Sequence, residues 1–212
     1  ATLALPQDVQ TMAYDYPEAF FASAPIAFAA PQPGERELLA AAAVLRSAKR
    51  PLLVVGGGVL YARAAEQLRA FAELRGVPVA ETQAGKGALP WDHPLQLGAI
   101  GVTGSPAANA LAAEADVVLA VGTRLSDFTT GSHSLFAQAR LVNLNVNAFD
   151  ARKWRGVELI ADAGSGLAAL SEVLPAWRAD ATWQDRARQA ADAWRGDIAR
   201  LTGQRDVALP YD

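Results

Sequence analysis

The residues best placed to do chemistry in this chain are glycines, not acids or nucleophiles. Gly56-Gly57-Gly58 closes the apolar run PLLVVG, and Gly98, Gly101 and Gly104 recur every third residue in GAIGVTGSP. Glycine lets backbone N–H groups approach a ligand because no Cβ intervenes, and a following helix N-terminus adds favourable potential for an anion. Each stretch therefore reads as a cradle for a phosphate or as a turn packed closely on its neighbour. Neither is the G-x-G-x-x-G fingerprint of dinucleotide sites. Gly122-Thr123-Arg124 offers a cation, which could meet a ligand phosphate, Asp127 or a neighbouring domain. Asn145 and Asn147, in NLNVNAFD, stand where dinucleotide sites often put an acid against a ribose. Their amides can bond sugar hydroxyls but carry no charge. Thr82, at the end of VPVAET, and Asp162, at the end of VELIAD, complete the candidate set.

Groups that could run a reaction are scarce. His93 lies in WDHP and reads as a turn residue, and His133 in TGSHS has no Asp at a fixed spacing. The nucleophile-elbow pattern G-x-S-x-G is absent, and no carboxylate pair stands out for acid–base work. With no Cys and two His, disulfides, thiolate metal sites and a multi-His centre are excluded. No catalytic residue and no metal ligand is assigned. The net charge of −3 and the lack of a Lys/Arg block argue against nucleic-acid binding. No apolar run reaches the roughly 18 residues of a membrane span, and no secretory signal is visible. A cytoplasmic location is expected.

The elements that must position these residues alternate. Residues 35–49 form an amphipathic helix, 51–56 a strand apolar throughout, 60–75 a helix and 77–82 a second strand. A Gly-rich stretch follows over 83–105. Ser105 and Pro106 then start a helix over 106–115, as a cap followed by proline at the first helical position. Residues 116–123 are the clearest buried strand, 124–139 mostly loop, 140–146 and 157–162 further strands, and 164–174 a helix. Trp183, Ala187, Ala190, Trp194, Ile198 and Leu201 share one face of a last helix, expected to dock on its own domain. Five strands alternating with helices predict a three-layer α/β fold, an open parallel sheet with helices on both faces, Rossmann-like. The loops after the strands then share one carboxyl edge, where ligands of such folds sit.

The chain opens ATLAL, strand-like and without Met, so it is expected to be a piece of a longer protein. Residues 1–33, punctuated by Pro6, Pro17, Pro25, Pro31 and Pro33, read as the end of a preceding domain and a linker. Their aromatics Tyr14, Tyr16, Phe20, Phe21 and Phe28 are expected to pack over the domain surface or on a neighbour. Residues 34–175 read as a central α/β domain, and 176–212 as a helix leading into another domain.

The order RPLLVVGGG, GTRLSDFTTG, LVNLNVNAFDARKW resembles the central domain of thiamine-diphosphate-dependent enzymes, the superfamily of acetohydroxyacid synthase and pyruvate oxidase. Within it, ETQAGKGALPWDHPLQLGAIGVTGS and GTRLSDFTTGS are most similar to the branch acting on trihydroxycyclohexane-1,2-dione in inositol breakdown. The fold implied is of the NAD/FAD-binding type also seen in deoxyhypusine synthase. The resemblance implies a homo-oligomeric parent enzyme with thiamine diphosphate and Mg²⁺. It would hydrolyse a C–C bond of that ring to give 5-deoxyglucuronate. It implies that pyrimidine-binding and diphosphate-binding domains of the same chain hold the cofactor, leaving this stretch inactive alone. Some relatives bind FAD or ADP at the strand edge, at positions matching Gly56, Gly57, Gly58, Gly98, Gly101 and Arg124. Here Phe128 stands where an Arg commonly follows Asp127, and Asn145 and Asn147 replace an Asp pair. The expectation is a vestigial nucleotide site, without bound FAD or ADP. A nucleotide-binding module and an acetolactate-synthase-like central domain are the alternatives.

Overall fold

A computed structural model describes residues 2–23 and 29–203 of the chain. Pro25, Phe28 and the terminal connection at 204–212, all named above, lie outside the described residues. The order of elements is α1 (Glu35–Arg46), β1 (Pro51–Val55), α2 (Gly57–Tyr61), α3 (Ala65–Arg75), β2 (Val79–Glu81), β3 (Gln96–Ala99), α4 (Pro106–Glu114), β4 (Val117–Val121), α5 (Asp127–Thr130), β5 (Arg140–Asn145), α6 (Ala148–Ala151), β6 (Val157–Ile160), α7 (Ala163–Val173) and α8 (Ala181–Thr202).

The six strands form one sheet in the order β3-β2-β1-β4-β5-β6, with every pairing parallel. Chain direction across the sheet reverses between β1 and β4, which makes their carboxyl ends the switch point of the fold. Right-handed crossovers put α3 and α4 on opposite faces. Helix α7 packs against both α1 and α3 on one side, and α4 packs with α8 on the other. The expected three-layer α/β architecture is therefore present. Residues 51–55 and 117–121 are buried at every position, because a strand covered on both faces has no solvent side.

Several expectations are corrected. The sheet has six strands, not five: Gln96–Ala99 pairs with β2 inside the stretch read as Gly-rich loop. Its Gly98 hides the strand signal, since glycine is depleted in strands. The helix expected over 60–75 is broken into α2 and α3, with Arg63 at φ 52° between them. Residues 2–5 are not in a strand. Tyr14, Tyr16, Phe20 and Phe21 pack on one another and are all exposed. Their ordering on the domain surface is not seen.

Helix α8 docks on its own domain through Trp183, Ala187 and Ala191, all buried, and the Trp183 indole N–H donates to the Pro51 carbonyl at 2.8 Å. The stripe loses contact toward its end, where Ile198 is exposed. Among the described residues no helix is long and apolar enough to cross a membrane.

Candidate functional site at the carboxyl edge of the sheet

The loops after the strands meet at the switch point between β1 and β4. Gly58 lies against Gly122: a Cβ on Gly58 would come within 2.6 Å of the Gly122 Cα. Two loops leaving adjacent strands can approach this closely only without side chains. The same closeness gives three of the backbone donors acceptors. The Gly56 N–H donates to Val121 O and the Gly58 N–H to Gly122 O, both at 2.9 Å, and the Gly122 N–H donates to Leu144 O at 2.8 Å.

The second glycine stretch behaves alike. Gly101 has φ +108°, and a Cβ there would collide with the Phe128 carbonyl oxygen. Its N–H donates to Asn109 Oδ1 at 3.0 Å, and the Gly98 N–H to Gln96 Oε1 at 3.0 Å. The Val102 N–H then donates to Phe128 O at 2.8 Å. That bond joins the loop after β3 to the loop after β4, over the switch-point crevice.

The polar candidates are also engaged locally. Thr82 Oγ1 accepts from the Gly85 N–H at 3.2 Å. Asn145 Nδ2 donates to Thr123 O at 3.0 Å while its Oδ1 accepts from the Asn147 N–H at 2.9 Å. Asn147 Oδ1 caps α6 by accepting from the Phe149 N–H, and Asp162 Oδ1 caps α7 by accepting from the N–H groups of Gly164 and Ser165. Asp127 opens α5, where it is exposed, and Arg124 is exposed without forming the ion pair with Asp127. Asp150 instead pairs with Lys153 at 2.6 Å. The structure thus brings Gly56, Gly57, Gly58, Thr82, Gly101, Arg124, Asn145 and Asn147 to one edge. Asp162 lies at the same edge, at the outer strand β6, and Gly98 is set back inside β3.

Sequence reasoning missed what orders the loop after β2. The buried Glu81 accepts from the N–H groups of Gly87 and Leu89 at 3.2 and 2.9 Å. An acid at the end of an otherwise apolar strand was the available signal. It also set aside His133, which packs against Trp154 beside an open groove of about 620 Å³ lined by Phe136, Arg140 and Arg155. His93 is a structural group as read: its Nε2 meets Glu73 Oε1 at 3.1 Å, and its Nδ1 accepts from the Leu95 N–H. Among the described residues no group of three or more His, Asp or Glu is arranged to hold a metal ion.

Comparison with known families decides the lineage. Residues 38–170 match the family model described as thiamine pyrophosphate enzyme, central domain. The chain belongs to that family. This central domain is also 46% identical over 200 residues to a protein of Geobacillus thermodenitrificans named 3D-(3,5/4)-trihydroxycyclohexane-1,2-dione hydrolase. Relatives with the same name from Bacillus cereus and Clostridium tetani are 42% and 39% identical over 202 residues. In each case the match takes in 94% of this chain but 31% of the relative. The chain thus spans about a third of the length of the curated relatives it matches.

Proposed function

We propose that this chain is the central, non-catalytic domain of a thiamine-diphosphate-dependent hydrolase that opens the ring of trihydroxycyclohexane-1,2-dione by C–C bond hydrolysis. The observation that carries the reading is the 46% identity to a hydrolase of that name, which runs through 94% of the chain. Two alternatives, an acetolactate-synthase-like parent and a free-standing nucleotide module, have no comparable support.

The division of labour follows from what the described residues hold. When bound, thiamine diphosphate supplies an electron sink for the carbanion left as a C–C bond breaks. Activating it takes a positioned carboxylate, and holding its diphosphate takes a divalent metal such as Mg²⁺. Among the described residues no group of three or more acids and histidines is arranged to hold a metal ion, and two carboxylates at the strand edge are engaged: Asp162 caps a helix and Glu81 orders a loop. Those roles fall to the pyrimidine-binding and diphosphate-binding domains of a homo-oligomeric, cytoplasmic parent. In the same reading residues 1–33 lead in from the first domain, 34–175 are the central unit, and 176–212 lead out. The central unit contributes a rigid spacer. The strand edge suits a dinucleotide poorly, because the N–H groups of Gly56, Gly58, Gly98, Gly101 and Gly122 already have acceptors and the Val102–Phe128 bond joins two of its loops.

Calorimetric titration of thiamine diphosphate with Mg²⁺ into the 212-residue chain is expected to give no binding heat. The full-length protein is expected to bind the cofactor and consume the dione only in its presence. Clear binding by the 212-residue chain, or a full-length protein inert toward the dione, would sink the proposal.

A further inference from the structure

The groove beside His133 takes in Arg140 and Val157, the first residues of β5 and β6, so it lies at the amino ends of those strands. Its volume of about 620 Å³ falls within the roughly 300–1,000 Å³ of sites for small organic molecules. Phe136, Leu141 and Val157 make part of the lining apolar, and the charge in it is all positive: Arg140 and Arg155 line it and no Asp or Glu does. Among the described residues neither guanidinium meets a carboxylate. Arg140 Nη1 donates to Ser47 Oγ at 3.2 Å, whereas the nearby Arg152 is paired with Glu158 at 2.6 Å. Two features go beyond a basic patch. His133 Nε2 is shut off from solvent without a hydrogen-bond partner, where the imidazole packs on the Trp154 indole. A buried polar atom without a partner is uncommon and calls for a reason. The backbone beside the groove is also strained. Among the described residues six that are not glycine have positive φ, and four of them are Ser132 (51°), His133 (68°), Trp154 (61°) and Arg155 (52°). A fifth, Leu125, accepts the Trp154 indole N–H on its carbonyl at 3.2 Å. Strain of this kind persists only where the surroundings enforce it, and it clusters at ligand clamps.

We propose that this groove binds a small organic anion with a flat apolar body, its carboxylate or phosphate held by Arg140 and Arg155 and its body against Trp154 and Phe136. A guanidinium fork matches either acid group with two parallel charge-assisted bonds. The Trp154 ring is 44% exposed, which leaves apolar surface on which a flat body can stack. A turn of the indole onto that body uncovers His133 Nε2, which then donates to the anion. The unpartnered imidazole and the strained backbone around it are thus parts of a clamp that the ligand completes.

The test is a fluorine NMR titration of the full-length protein with para-fluorobenzoate and, separately, with para-fluorophenyl phosphate. One saturable site per chain is expected for at least one of them, and the tighter of the two identifies the acid group. The neutral para-fluorobenzamide is expected to bind roughly tenfold more weakly, because the ionised acceptor makes the stronger bonds to a guanidinium. Arg140→Ala and Arg155→Ala, both at exposed side chains, are each expected to weaken the anion by about the same factor. Arg188→Ala, at an exposed position on α8, should leave its affinity unchanged. The comparison of acid with amide on the unsubstituted protein stands even if a variant fails to fold. Equal binding of acid and amide overturns the proposal, as does an anion that binds both arginine variants as tightly as the parent. So does the lack of a saturable site for either anion, including the case in which another part of the full-length protein fills the groove. None of these outcomes bears on the hydrolase reading, which is tested by consumption of the dione.

Discussion

Arg75 is almost fully buried with no carboxylate beside it. It donates instead to three carbonyls, Ser171 O at 2.8 Å, Pro175 O at 3.1 Å and Trp177 O at 3.2 Å. These include the last turn of α7 and the chain leaving it, where a cation is favoured by the helix dipole. Burial lowers the Arg75 pKa from its ordinary value by desolvation, yet guanidinium stays charged at any neutral pH. Arg75→Met is expected to leave three buried acceptors unpaired at a cost of about 2–3 kcal/mol, read as a lower midpoint in urea. Arg75→Lys should recover part of the loss. If the methionine variant unfolds at the same midpoint, the clamp contributes nothing. None of this was legible in the sequence, where Arg75 is the last residue of an amphipathic helix. Its partners lie about a hundred positions away, and periodicity carries no information about them.

At the level of elements the sequence was most informative where burial is two-sided. PLLVV and VVLAV are strands because every position is apolar, and Ser105-Pro106 marked the start of α4 to the residue. It was least informative where glycine serves packing. Gln96–Ala99 was read as loop because Gly98 weakens the pattern, and only the pairing with β2 restores it. Likewise the glycines of the carboxyl edge were legible as close approaches, but not what they approach. The caps follow local rules more faithfully. Asp180 Oδ1 accepts from the Thr182 N–H at 2.8 Å and from its hydroxyl at 2.7 Å, which fixes the start of α8. The Thr182 hydroxyl, then its N–H, hold the Asp180 pKa below the ordinary value. A depressed folded pKa means that the cap stabilises above the unfolded pKa of about 3.9 and is lost as pH falls through the folded value. Asp180→Ala should therefore lower the melting temperature at pH 7, and the gap to the parent should close in scans run progressively below about pH 4. A gap independent of pH would assign the effect to something other than the ionised cap.

For the whole molecule the fold class was readable because the strand–helix alternation persists from α1 to α7. The candidate site was readable only as a location. All eleven candidate positions lie in or just after strands, as the topology requires, but whether such an edge binds a ligand depends on which donors remain free. That is a property of pairs of loops, as between Val102 and Phe128, and not of either loop's sequence. The expectation for ligand binding is correspondingly definite. ADP, NAD and FAD, each supplied well above any useful Kd, should leave the melting temperature of the 212-residue chain unchanged. A site filled at a hundredfold excess would raise stability by roughly 2.7 kcal/mol, which thermal unfolding resolves readily. A rise with any one of the three would reopen the nucleotide reading.

The sheet order also sets a sequence in time. Strand β1 is made first and ends at the centre of the sheet, paired with β2 on one side and with β4 on the other. Its register with β4, Leu52 against Val118 and Val54 against Ala120, cannot form until the whole of the intervening chain has left the ribosome. Through that interval five consecutive apolar residues have one unsatisfied edge, which is the kind of edge other chains pair with. Such non-local parallel pairing is intrinsically slow. The stretch PLLVV is thus the point at which a nascent chain of this protein is most exposed to aggregation, and the arrival of β4 is the event that ends the exposure.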